Sequence, residues 1–180
     1  PFNGTPSNFA GSGASYSFDL LPNADGLVTA DIAAGTSVDA VGNASLAATQ
    51  FTRIYDTLGP AAVDVYSTVP DGTYGLGATI PIRIAFDEPV NVTGVPTLTL
   101  NAIAGGYVVN YASGSGTSEL IFNYTVVTGH SVTVLDYLST TSLALPGGAT
   151  IKDLAGNVAD ITLPVPGVGN VGSLADNNTI

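Results

Sequence analysis

The chain contains no cysteine, no methionine and no tryptophan, and only three basic residues, Arg53, Arg83 and Lys152. Without cysteine there is neither a disulfide framework nor thiolate chemistry. Three scattered cations stand against 14 acidic residues, for a formal net charge of −11. No basic cluster exists to neutralise phosphates, which excludes nucleic acid and anionic membrane surfaces as partners. Charged residues of both signs make up only 9% of the chain, against an ordinary share of about 25%. Ser, Thr, Asn and Gly must therefore carry the polar surface, as in secreted β proteins whose exposed faces favour Thr. No apolar run approaches the roughly 18–20 residues needed to span a bilayer, and there is no signal-like segment, so membrane insertion is not expected. A chain opening Pro1-Phe2-Asn3 reads as processed, or as part of something longer.

What is present is alternation. The chain is 45% hydrophobic, enough to build a core, and its apolar residues recur with period two, while helical periodicity is nearly absent. In Ile80-Pro81-Ile82-Arg83-Ile84-Ala85-Phe86 every even position is large and apolar. Leu120, Phe122, Tyr124 and Val126 repeat the pattern, as do Pro96–Leu100, Tyr107–Tyr111, Tyr16–Leu20 and Gln50–Tyr55. Turn signals such as Asp25-Gly26, Asp71-Gly72 and Gly105-Gly106 punctuate the runs. Pro81 cannot donate to a ladder and marks an edge or a strand start. Many short strands with regular turns predict an all-β sandwich or barrel.

An internal repeat sets the expected domain count. Asp39-Ala40-Val41-Gly42-Asn43 recurs as Asp153-Leu154-Ala155-Gly156-Asn157, and Gly11-Ser12-Gly13-Ala14-Ser15 recurs, in the same order, as Gly114-Ser115-Gly116-Thr117-Ser118. The spacing is that of one immunoglobulin-like domain, about 100 residues, with Asp56-Thr57-Leu58-Gly59-Pro60 as a linker between the copies. The expected partition is 1–56, the C-terminal half of a sandwich, and 57–180, a complete sandwich with a C-terminal extension. Half a sandwich exposes its inner face and bare strand edges. Its missing strands then come from upstream or from another chain by strand complementation, with the tail from Gly169 to Ile180 running on into the next unit.

These residues resemble a known group. Phe86-Asp87-Glu88-Pro89-Val90 and Ile151-Lys152-Asp153-Leu154-Ala155-Gly156-Asn157 are similar to signatures of bacterial Ig-like domains in S-layer proteins and large repetitive adhesins. Tyr111–Thr117, Leu135-Asp136-Tyr137 and the linker Tyr55-Asp56-Thr57 also look like such repeats, although Leu58-Gly59-Pro60 departs from the usual linker pattern. The resemblance implies tandem Ig-like sandwiches, the first incomplete within this chain, and an extracellular or cell-surface location in a bacterium. It also implies a non-enzymatic structural role beside copies of itself or neighbouring repeats, in a fibre or filament.

Several groups are candidates for chemistry. The Asp-x-x-Gly-Asn loops read as turns in which Asp caps backbone N–H groups, or as oxygen ligands for Ca²⁺ from Asp39 and Asn43 or from Asp153 and Asn157. Asp87-Glu88 reads as a solvated acidic loop. Alternatively, Glu88 meets Asp153 and Asp56 around a cation that offsets their mutual repulsion and stiffens the linker. The metal candidates are thus Asp56, Glu88, Asp153 and Asn157, with Ca²⁺ the possible ion and no cofactor required. His130, the single histidine, reads as a surface residue, since no second His, Cys or nucleophile-elbow pattern accompanies it. Asn-x-Ser/Thr triplets at Asn3, Asn43, Asn91, Asn123 and Asn177 read as composition rather than glycan sites. Tyr107 and Tyr111 read as sheet-covering residues, or as a sugar-stacking platform. A rival function is therefore a calcium-dependent module binding carbohydrate or a host surface.

Overall fold

A computed structural model describes residues 1–180 and divides the chain into two compact units, Pro1–Thr57 and Leu58–Ile180. Both are built from antiparallel β-structure. No helix is long and apolar enough to cross a membrane.

The first unit consists of two separate two-stranded sheets. Strands β1 (Gly4–Ser12) and β2 (Ser15–Pro22) form one hairpin. Its turn needs glycine on geometric grounds: Gly11 has φ 144°, and a Cβ there would lie 2.3 Å from the Ser15 carbonyl oxygen. Strands β3 (Gly26–Ala30) and β4 (Phe51–Tyr55) form the other pair, with the Asp39–Asn43 loop on the segment between them. Phe2 and Thr29 exchange backbone hydrogen bonds at 3.0 and 3.1 Å, tying the chain start to β3. Only Val28, Thr29 and Ala30 are buried in this unit. Alternation is present in β2 but its apolar face is not covered, and Tyr16 is 58% exposed.

The second unit is a curled antiparallel sheet. Its strands are β5 (Ala62–Ser67), β6 (Thr79–Thr93), β7 (Thr97–Leu100), β8 (Tyr107–Ser113), β9 (Thr117–Thr125), β10 (Leu143–Ala144) and β11 (Thr150–Lys152). They lie in the order β10-β7-β8-β9-β6-β11, with β5 also paired to β6. The alternating run foreseen at 80–86 is the first half of β6, and Pro81 sits near its start, opposite Asn123 and just beyond the end of the β5 pairing. The strand does not stop at Phe86. Its register shifts between Ala85 and Val90 and it continues to pair with β11, so Asp87 and Glu88 lie within a strand rather than in a solvated loop. Asp87 is held there by reciprocal bonds to Ala61: its N–H donates to the Ala61 carbonyl at 3.1 Å, and its Oδ1 accepts from the Ala61 N–H at 2.8 Å.

Period two sends Ile80, Ile82, Ile84 and Phe86 to one face, where they meet Leu98, Leu120 and Phe122 in a continuous core. Each such side chain contributes about 1.5–3 kcal/mol relative to an exposed one. Tyr107 and Tyr111 pack against this core, Tyr111 edge-on to Phe122, and they do not form an exposed platform. Asp136 and Tyr137 are buried together. The Asp136 carboxylate accepts from the Tyr137 and Gly167 N–H groups, both at 2.8 Å, and the Tyr137 hydroxyl donates to the Pro164 carbonyl at 2.7 Å. Burial pushes the Asp136 carboxyl up, against these hydrogen bonds, and it pushes the Tyr137 phenol upward as well.

Two expectations are corrected. The tail does not leave its unit. Ser173 caps a single helical turn, α1 (Leu174–Asn177), with Leu174 fully buried. Asn177 and Asn178 then bond the backbone of Val65 and Ser67 in β5. Burying Leu174 against the core favours folding back over running on. His130 is not a free surface residue either. It stacks on Tyr124, lies edge-on to Tyr107 and shares a 2.9 Å hydrogen bond with the Tyr124 hydroxyl, because the flat ring fills the slot the two tyrosines leave.

The core carries the stability of the second unit, and this can be measured. Ile82→Ala is expected to cost about 2–5 kcal/mol in urea unfolding, whereas Val171→Ala, at a site 90% exposed, is expected to change it by less than about 0.5 kcal/mol.

Candidate functional site

The two Asp-x-x-Gly-Asn loops close in the same way. In the first, Asp39 Oδ1 accepts from the Val41 and Asn43 N–H groups, and Oδ2 accepts from Asn43 Nδ2, each at 2.9 Å. In the second, Asp153 Oδ1 accepts from the Gly156 and Asn157 N–H groups at 2.6 and 2.8 Å, and Oδ2 accepts from Asn157 Nδ2 at 2.7 Å. Gly42 and Gly156 both take positive φ, the left-handed turn conformation for which glycine carries no Cβ penalty. Neither loop needs an ion to hold its shape.

The same bonds tune the acids. The Asn43 side chain, with the Asn43 and Val41 backbone, holds the Asp39 carboxyl below the usual aspartate range. Burial works to raise the Asp153 carboxyl. The Asn157 side chain and the backbone of Asn157, Gly156 and Ala155 outweigh it, and the carboxyl is held low. Both loops therefore present ionised carboxylates at neutral pH.

What differs is the surroundings. Asp39 stands exposed, whereas Asp153 is buried and has the Glu88 carboxylate beside it. Within the second unit, one carboxylate oxygen of Glu88 lies within 4.8 Å of one of Asp153; Asp56, the other acid proposed for the site, belongs to the first unit. Two carboxylates this close repel each other unless a cation offsets their charge, and an all-oxygen pair of this kind suits a hard divalent ion such as Ca²⁺. The pair can supply two oxygen ligands to a divalent cation. Asn157 is adjacent: its Nδ2 also donates to the Leu58 carbonyl at 3.0 Å. In this orientation it braces Asp153 with its amide nitrogen.

Two further features had no clear sequence signal. A cleft of about 540 Å³ in the second unit is lined by Asp71, Tyr74, Tyr124, His130 and Ile180, among others. It forms because the irregular segment after β9 folds across the sheet, which alternation does not foretell. In the first unit a groove of about 720 Å³ runs beside β2, lined by Tyr16, Phe18, Leu20, Val28, Phe51 and others of that unit. No protein-family model, curated protein or solved structure matches the chain.

The low Asp153 pKa makes a pH signature. A carboxyl held down in the folded state contributes stability that is fully present above the unfolded value of about 3.9 and is lost as pH falls through the folded value. Asn157→Ala removes the first hydrogen bond holding it down. The difference in melting temperature between this variant and the unchanged chain is expected to be larger at pH 7 than at pH 2.5, by differential scanning calorimetry.

Proposed function

We propose that this chain is a structural, extracellular Ig-like repeat module of a bacterial surface or fibre protein, joined to its neighbours through strand complementation. One observation supports this reading above the others: in the first unit, both two-stranded sheets keep unpaired edges and an uncovered apolar face. Tyr16, Leu21 and Ile54 are all more than half exposed, in a unit whose buried residues number three, Val28 to Ala30. Two-stranded sheets are marginal alone, and open edges beside apolar surface are what strand addition uses. The reading is also supported by the composition, with its few charges and its wealth of Thr, Ser and Asn, and by the internal repeat. The role in this reading is non-enzymatic. In this reading the tandem units are β-sandwiches of Ig-like type, and the partners are copies of the chain or adjacent repeats.

The Glu88–Asp153 pair favours a second reading, a calcium-dependent module that binds carbohydrate or a host surface. Glu88 and Asp153 would contribute carboxylate oxygens to the ion, and the partly exposed rings of Tyr74 and His130 in the cleft offer a surface for a sugar.

Size-exclusion chromatography over a range of concentrations, with negative-stain microscopy, separates the two. Oligomers or filaments that grow with concentration are expected for the structural module, and a monomer at every concentration would count against self-joining. Melting in millimolar Ca²⁺ and in chelator tests the pair. An ion bound at a hundred times its Kd adds about 2.7 kcal/mol, and Glu88→Gln is expected to abolish the corresponding rise in melting temperature. Glycan-array binding that needs Ca²⁺ would establish the second reading in place of the first.

A further inference from the structure

The repeated segments show what the first unit lacks. Allowing for one extra residue in the second hairpin, Tyr16, Phe18 and Leu20 of β2 correspond to Leu120, Phe122 and Tyr124 of β9. The β9 residues are at most 3% exposed because β6 lies beside them, with Ile84 opposite Leu120, Ile82 opposite Phe122 and Ile80 opposite Tyr124. Their β2 counterparts face the open groove instead, and Phe18 is 37% exposed. Strand β2 pairs with β1 alone.

The loop copies make the same point from a second place. In the second unit Thr150–Lys152 is bonded on both sides. On one side Lys152 bridges Val158 and the Ala159 N–H donates to the Ile151 carbonyl; on the other side all three residues pair with β6, at Asn91, Val92 and Thr93. The first unit reproduces the first side. Val38 bridges Ala44, and the Ser45 N–H donates to the Ser37 carbonyl at 2.8 Å. It has no counterpart of the second side, and Thr36, Ser37 and Val38 are all exposed. Two separated segments, β2 and Thr36–Val38, thus lack the same partner, one long strand of the β6 kind.

We propose that the groove beside β2 is a docking site for an extended polypeptide segment from outside residues 1–180, which adds antiparallel to the free edge of β2. The segment carries large aliphatic side chains at every second position over about seven residues. This inference rests on the reading of the chain as an edge-joined module and specifies its partner. The occupant is defined by chemistry. Main-chain bonds to β2 supply affinity, and three alternate side chains, opposite Leu20, Phe18 and Tyr16, supply register. Slipping the segment by one residue turns its aliphatic face to water, so phase is the distinguishing property.

A synthetic peptide with the sequence of Thr79 to Thr93 is the probe. It is titrated into the full chain, with calorimetry for affinity and amide hydrogen exchange by NMR for location. Expected are saturable binding and new protection of β2 amides not bonded to β1. A peptide carrying Ile82→Asp and Ile84→Asp, and one with the aliphatic residues moved to the odd positions, are each expected to bind at least about tenfold more weakly, a difference of about 1.4 kcal/mol. Since these changes lie in the peptide, misfolding of the chain does not confuse them. Tyr16→Ser in the chain should weaken binding similarly, and Val41→Asp, outside the groove, should not. Equal binding by the phase-shifted peptide, protection appearing on the second unit instead, or no protection at all would overturn the proposal. A chain that never self-associates removes the self-joining reading yet leaves peptide binding measurable, and a chain that polymerises without protecting β2 does the reverse.

Discussion

Everything in the second unit depends on the coverage of one strand. β6 is 15 residues long and is the only element paired with three others, β5, β9 and β11. Its inward residues, from Ile80 to Val90, are almost wholly buried. A strand's backbone donors must be paired and its apolar face covered, and β6 meets both demands at once. Its bulge between Ala85 and Val90 lets it follow the curl of the sheet, since bulges sharpen local bend and twist. The same bulge places Glu88 beside Asp153. The core and the Glu88–Asp153 pair therefore share one cause.

The chain's low charge density shifts polar stabilisation onto short-range hydrogen bonds. The ion pair of Arg83 with Glu119, at 2.6 Å, is partly exposed, and such pairs contribute about 1 kcal/mol or less. Glu119 also accepts from the Tyr66 hydroxyl, which with Arg83 holds its carboxyl low. Elsewhere Asp, Asn and Ser side chains bond backbone groups directly, as in the two Asp-x-x-Gly-Asn loops and at Asp136. Asp39 and Asp153, whose carboxyls these bonds hold low, remain ionised through hydrogen bonds. A net charge of −11 is thus compatible with only three basic residues.

Much of this architecture was legible in the residues. Strict alternation over Ile80–Phe86 and Leu120–Val126 marked β6 and β9, and both glycine-rich turns are hairpins or hairpin-like closures. β5 was not marked, because Val63 and Val65 are set among Ala62, Asp64 and Tyr66 with no clean contrast between faces. β3 is short and begins at a turn glycine. The helical turn at Leu174 is below the length at which period 3.6 can be read. His130 was read as solvated because its partners, Tyr107 and Tyr124, come from different strands. The proximity of Glu88 and Asp153 was conceivable from charge alone, but it depends on β6 continuing through Pro89. Glu-Pro suggests a break, and here proline instead falls inside the bulge.

The folding back of the tail has a mechanical consequence. Ala61, near the beginning of the second unit, forms a parallel bridge with Asp160, and further on Val65 donates to the Gly172 carbonyl and Gly72 to that of Thr179. The opening and closing stretches of the unit therefore run side by side in the same direction. Tension applied to the two ends pulls parallel neighbours past each other lengthwise. Their hydrogen bonds are then strained together instead of being unzipped singly, and the β6–β9 ladder is shielded until that clamp gives way.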